Sequence, residues 1–278
     1  MYQLHDHTSF KCSEIITKSY STSFSLGIRM LGKKMRTPIY NIYGFVRLAD
    51  EIVDTFHEHD KAQLINEFEK STYESIEKGL STNPVLHAFQ HTVNEYQIDL
   101  DLIRAFLESM KMDLHRTVYE DADYKKYIYG SAEVVGLMCL RVFCHESPGL
   151  YDELVPHAKS LGSAFQKINF LRDMQSDLEE RGRVYFPDID FVRFSDEDKK
   201  RIEVDIKSDF DHAYKGILKL PRAARFGVYL AYVYYTQLFK KISDSSSVAV
   251  KSSRIRVPDT KKAYLLLSSA VRHNLNLL

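Results

Sequence analysis

Glycine and proline are scarce in this chain, 11 and 7 of 278 residues, which argues against a turn-rich β architecture and favours long helices. Cysteine is scarcer still. Cys12, Cys139 and Cys144 are odd in number and have neither disulfide-framework nor zinc-ligand spacing. They read as small apolar residues in a reducing cytosol. Neither charge is in excess, since 38 basic side chains balance 38 acidic ones, and nothing suggests a nucleic-acid footprint. The N-terminus from Met1 to His7 lacks a basic stretch followed by an apolar core, so it does not read as a signal peptide. The most apolar run, Phe226 to Phe239, falls short of the roughly 20 residues that span a bilayer and contains several tyrosines. It reads as a buried helix, and the expected location is the cytoplasm.

Hydrophobic residues make up 44% of the chain, enough for a sizeable core. The pattern predicts helices over roughly 8–30, 38–57, 60–79, 84–95, 99–118, 123–146, 150–180, 196–217, 222–243 and 259–277. Asn83-Pro84, Ser147-Pro148-Gly149 and Lys219-Leu220-Pro221 supply clear breaks. Gly182 to Ser195 reads as a loop, and Val184-Tyr185-Phe186 within it is too short to argue for a sheet. Ser245-Ser246-Ser247, followed by Val248-Ala249-Val250, is too short to separate domains. No internal repeat is evident. The expectation is one all-α domain spanning residues 1–278.

Within two of these helices lie paired aspartates, each pair one helical turn apart and each beside an arginine. The first pair is Asp50 and Asp54, preceded by Arg47. The second is Asp173 and Asp177, preceded by Asn169 and Arg172. At 100° per residue, Tyr43, Val46, Arg47, Asp50 and Asp54 share roughly one 100° arc. Gly162, Gln166, Asn169, Phe170, Asp173 and Asp177 form a second stripe. Like charges one turn apart repel, and apolar neighbours add a desolvation cost unless a cation compensates. Ile39, Ile42, Phe45, Leu48, Ile52 and Val53 leave the first helix little polar face, so its acids face an internal site rather than bulk water. Gly162 and Ala158 either leave room for an apolar ligand or mark a close helix–helix contact.

Ligand chemistry narrows the ion. Oxygen-only donors select hard cations, and Mg²⁺ takes one or two carboxylates, keeps water and completes its shell with phosphate. Mn²⁺ is the expected substitute. The arginines have the geometry to hold phosphate oxygens in pairs. Ser21 and Ser23 lack the context of a nucleophile but suit phosphate hydrogen bonds.

Four blocks then carry a resemblance. Tyr20-Ser21-Thr22-Ser23-Phe24-Ser25 with Ile42 to Asp54, Tyr127-Ile128-Tyr129-Gly130-Ser131-Ala132 through Gly136, Gln166 to Asp177, and Gly182-Arg183-Val184-Tyr185-Phe186-Pro187 stand in order along the chain. Together they resemble the squalene/phytoene synthase family, with the Ile42–Asp54 and Gly182–Pro187 blocks most like its bacterial phytoene synthases. The resemblance implies an isoprenoid-synthase-type helical bundle with a central cavity. It further implies Mg²⁺-dependent head-to-head condensation of two prenyl diphosphates, C20 by expectation, through a cyclopropylcarbinyl diphosphate. Carried over by position, Asp50, Asp54, Asn169, Asp173 and Asp177 would bind Mg²⁺. Arg47, Arg172 and, near the C-terminus, Arg256 would grip diphosphate, with Ser21, Ser23 and Gln166 lining the site. Tyr127 would sit near the reacting carbons, with Tyr129 as its neighbour about 200° away on the helix. The chain ends without the membrane anchor of eukaryotic squalene synthases, although lipid substrates suit peripheral attachment to a membrane. Two competing expectations are squalene or dehydrosqualene synthesis from the C15 diphosphate, and a non-catalytic helical protein that binds lipid or a partner subunit. Sequence says little about oligomeric state.

Overall fold

The computed structural model describes residues 3–189, 191 and 193–274. Thirteen helices follow one another among them. They are α1 (Gln3–Tyr20), α2 (Thr22–Arg29), α3 (Lys33–Asp54), α4 (Lys61–Lys78), α5 (Pro84–Tyr96), α6 (Leu100–His115), α7 (Asp121–Ile128), α8 (Val134–Phe143), α9 (Pro148–Arg181), α10 (Asp196–Lys219), α11 (Arg222–Ser243), α12 (Ser247–Ser252) and α13 (Asp259–Asn274). A π-helical turn, Tyr129–Glu133, joins α7 to α8. The one extended pairing among the described residues is a single parallel bridge, Val118 to Val184. The all-α expectation holds. No helix of the described residues is long and apolar enough to cross a membrane.

Most differences from the expected boundaries have local causes. The expected 8–30 helix is broken at Ser21, whose backbone turns extended at φ −145° while its hydroxyl accepts from the Phe24 amide. Helix α3 begins five residues before Pro38 rather than at it, so Pro38 lies inside the helix and removes one hydrogen bond, to the Lys34 carbonyl. The serine-rich break holds the short helix α12, capped by Ser246 accepting from Ala249 N. Residues 275–277 of the last expected helix lie outside the described residues.

Two apolar cores stabilise the bundle. One gathers around α3, with Phe45 stacked on Phe89 at 3.8 Å between centroids and packed beside Phe68 and Phe106. The other gathers around α9 and includes Tyr119, Tyr127, Phe170, Tyr185, Phe186 and Phe210. Between them, small residues let backbones close in. A Cβ on Gly130 would lie 2.4 Å from the Ala105 carbonyl oxygen, and one on Gly162 would lie 2.8 Å from that of Ala132. Gly162 therefore serves a close crossing of α9 over the π-helical turn, which settles its role in favour of packing. Helix α9 carries the second acidic pair near its C-terminal end, as α3 carries the first near its own.

Candidate active site

Helix α3 buries Ile42, Phe45, Ala49, Ile52 and Val53, and this leaves Tyr43, Arg47, Asp50 and Asp54 half-buried on its remaining face. The Arg47 guanidinium contacts Asp50 and reaches Glu51 Oε2 at 2.5 Å, while its carbon lies 4.2 Å from the centre of the Tyr20 ring. Its Nε is buried without a hydrogen-bond partner. Such a donor suits an acceptor that the protein does not supply. Burial raises the Tyr43 hydroxyl pKa, opposed by a hydrogen bond with Ser21 and by the charge of Arg47. Ser21 thus caps α2 and touches the α3 face at once. Ser23 is half-buried as the second residue of α2.

On α9, Arg172 clasps its neighbour Asp173 in a two-pronged pair, Nε to Oδ1 at 3.0 Å and Nη2 to Oδ2 at 2.5 Å. Burial pulls the Arg172 pKa down, but Asp173 outweighs it and keeps the guanidinium charged. Asp173 Oδ1 also accepts from Arg254 Nε at 2.8 Å. The arginine expected at diphosphate in this C-terminal segment is Arg256, and the one in contact with α9 is Arg254. Burial alternates along residues 254–257, with Ile255 and Val257 buried and both arginines exposed. Side chains two apart share a face, and Arg254 is the nearer of the two to α9. Arg256 instead offers its carbonyl oxygen to Lys241 Nζ at 2.7 Å. Asn169 accepts from the Tyr235 hydroxyl at 3.2 Å and sits 3.5 Å from Gln166 Oε1. Tyr235 thus ties α11 to the second acidic helix.

The end of α9 turns back toward α3. Gly182 takes φ 64° and closes the helix, with Arg183 N donating to Asp177 O at 2.9 Å. Val184 N then donates to Thr117 O at 2.8 Å, which holds the reversed chain against the segment after α6. Arg183, 7% exposed, reaches Asp54 Oδ1 at 3.0 Å and Asp113 Oδ2 at 3.6 Å. Burial lowers the Arg183 pKa, and Asp113, Tyr185 and Asp54 more than reverse this. Asp113 is buried and accepts from the hydroxyls of Tyr127 at 2.8 Å, Tyr119 at 3.0 Å and Tyr185 at 3.3 Å. Burial drives its pKa up to about 6, with Arg183 opposing.

The expected Tyr127 is therefore buried, its hydroxyl directed to Asp113 and its ring packed among Tyr119, Tyr185 and Phe170. Tyr129 is half-buried, with Lys159 Nζ 4.9 Å above its ring. A small cavity of about 20 Å³ lies beside these groups, lined by Phe170, Met174, Asp177, Arg183, Tyr185 and Phe186 among others. It admits about one water rather than a prenyl tail. Asp113, Arg183, Tyr185, Tyr235 and Arg254 had no assigned role from sequence. Asp113 had a readable signal, because it falls on the buried stripe of α6 three and seven positions after Met110 and Phe106, where an unpaired acid is costly.

Among the described residues, no three His, Cys, Asp or Glu side chains stand close enough together to hold a metal ion. The donors nonetheless fit Mg²⁺, which draws one or two carboxylates from protein and the rest of its shell from water and phosphate. Asp50, Asp54, Asn169, Asp173 and Asp177 all present oxygen on half-buried helix faces.

Comparison with known proteins identifies the family. Residues 17–261 match the family model described as squalene/phytoene synthase. Phytoene synthase 1 of Solanum lycopersicum is 30% identical over 84% of this chain, which spans about 60% of that protein's length. The phytoene synthase of Arthrospira platensis is 28% identical, covering 95% of this chain and 93% of its own. Among solved structures, a dehydrosqualene synthase in complex with ligand superposes with a TM-score of 0.82 over 97% of this chain and 98% of its own, at 22% identity. A squalene synthase of Alicyclobacillus acidocaldarius gives 0.76 over 87% and 95%, at 20% identity. The chain belongs to the squalene/phytoene synthase family.

Proposed function

We propose that this chain is a phytoene synthase: it joins two geranylgeranyl diphosphates head to head, releases pyrophosphate and yields a C40 hydrocarbon. The observation that carries this reading is the meeting of the two acidic helices, Arg183 on the chain leaving α9 reaching Asp54 at the end of α3, in a chain similar to phytoene synthases over most of its length.

The roles follow from the residues. Asp50 and Asp54 on one side, and Asn169, Asp173 and Asp177 on the other, would hold Mg²⁺. Bound there with diphosphate, the metal supplies charge stabilisation for the departing pyrophosphate. Arg47, whose buried Nε lacks a partner, together with Arg172 and Arg254, binds diphosphate oxygens. Ser21, Ser23 and Gln166 line the head-group site. Tyr127, Tyr185 and Phe170 pack on one another in a closed aromatic cluster, which walls the site and keeps water from it. The hydroxyl of Tyr127 is committed to Asp113, so its contribution is the ring. Residues 1–278 act as one catalytic unit in the cytoplasm, meeting membrane-borne substrate peripherally.

Chelation is the test. Activity is lost with EDTA and restored by Mg²⁺ or Mn²⁺. Asp50→Ala and Asp173→Ala each lower turnover about a hundredfold or more while the helical circular dichroism is kept. Full turnover in metal-free buffer refutes the assignment.

A further inference from the structure

Asp113 lies outside both acidic pairs, on α6, yet a single guanidinium joins it to one of them. Arg183 Nη1 is 3.0 Å from Asp54 Oδ1, 3.6 Å from Asp113 Oδ2 and 3.3 Å from the Tyr185 hydroxyl. Both oxygens of Asp113 are engaged: Oδ1 by Tyr119 and Tyr185, Oδ2 by Tyr127 and Arg183. The side chain of Asp113 is 4% exposed, that of Arg183 7%, and that of Asp54 18%. One buried cation is thus shared between two carboxylates, and only Asp54, the more exposed of them, is placed to meet a further cation.

We propose that Asp113 is a positioning residue that sets the cation affinity of Asp54 by taking a share of the Arg183 charge. A guanidinium 3 Å from a carboxylate competes with a metal for that carboxylate's charge. Each share of the Arg183 charge neutralised by Asp113 is a share not neutralising Asp54. The three tyrosine hydroxyls keep Asp113 fixed without adding charge, so it holds Arg183 in place and does not drift toward solvent. Tyr127 enters the same arrangement, since its hydroxyl is anchored on the oxygen that faces Arg183. The inference rests on the proposed role of Asp54 as a metal ligand and adds a residue to it. It assigns Asp113 no contact with substrate or metal.

The test reads metal binding directly. Mn²⁺ binding to the full chain is measured by electron paramagnetic resonance in the presence of inorganic pyrophosphate, for wild type, Asp113→Asn, Arg183→Gln and the double variant. Asp113→Asn keeps the shape of the side chain and removes its charge, with an amide NH2 in place of one of the two accepting oxygens. Its Mn²⁺ affinity falls about tenfold, because Arg183 then belongs to Asp54 alone. Arg183→Gln binds Mn²⁺ more tightly than wild type. The double variant behaves like Arg183→Gln, since without the guanidinium Asp113 has nothing to act through. Equal affinity in wild type and a folded Asp113→Asn overturns the inference while leaving the site assignment standing. Weaker Mn²⁺ binding by Arg183→Gln overturns it even if Asp113→Asn fails to fold. No Mn²⁺ bound by wild type with pyrophosphate refutes the metal-site reading itself.

Discussion

Arg183 Nη1 lies 3.0 Å from Asp54 Oδ1, although 129 positions separate the two residues. The contact is made possible by Gly182, which at φ 64° closes α9 and sends the next residue back toward α3. A β-carbon at that φ is strained, although it would meet no neighbouring atom there. Gly182→Ala is expected to lower stability by about 1 kcal/mol, measured by urea unfolding, and to lower activity as Arg183 loses its place. An unchanged unfolding midpoint contradicts the conformational argument.

The buried carboxyl of Asp113 gives the fold a pH dependence of known sign. Burial, partly offset by Arg183, raises its pKa from 3.8 to about 6. The folded state therefore holds this proton more tightly than the unfolded chain. Its stabilising contribution is complete below about 3.8 and is lost as pH rises through about 6. The urea midpoint of wild type should consequently fall more steeply between these values than that of Asp113→Asn. Parallel pH curves for the two proteins contradict this.

Arg254 and Arg256 offer a sharper discrimination. Arg254 touches Asp173 and Arg256 does not, so Arg254→Ala raises KM and weakens inhibition by pyrophosphate, by about tenfold for a charge-assisted contact. Arg256→Ala leaves both within about twofold, as exposed charges usually do. The reverse order favours Arg256, the arginine expected from sequence.

Much of this was legible in the sequence, and what was not has physical reasons. The acidic stripes of α3 and α9 follow from helical spacing, which backbone geometry obeys closely. The helical content follows from sparse glycine and proline. Three features needed coordinates. Arg183 stood in a quoted block, but its partners lie on α3 and α6, and no local periodicity links them. That Arg254 rather than Arg256 meets Asp173 depends on how the segment after α12 lies against α9. The reason for a glycine at position 162 is the Ala132 carbonyl, 2.8 Å from where its Cβ would stand, on a segment that helical spacing in α9 does not reveal. The hydroxyl partner of Tyr127 lies on α6 and could not be read from the helix that carries the tyrosine.

The most direct measurement is the product. Purified protein is given geranylgeranyl or farnesyl diphosphate with Mg²⁺, with and without NADPH, and the hydrocarbons are identified by mass spectrometry. Forming the central bond and quenching the final cation by proton loss needs no reductant. The account predicts a C40 hydrocarbon from the C20 substrate, unaffected by NADPH, and little product from the C15 one. A C30 hydrocarbon formed preferentially from farnesyl diphosphate, or no hydrocarbon from either substrate, contradicts it.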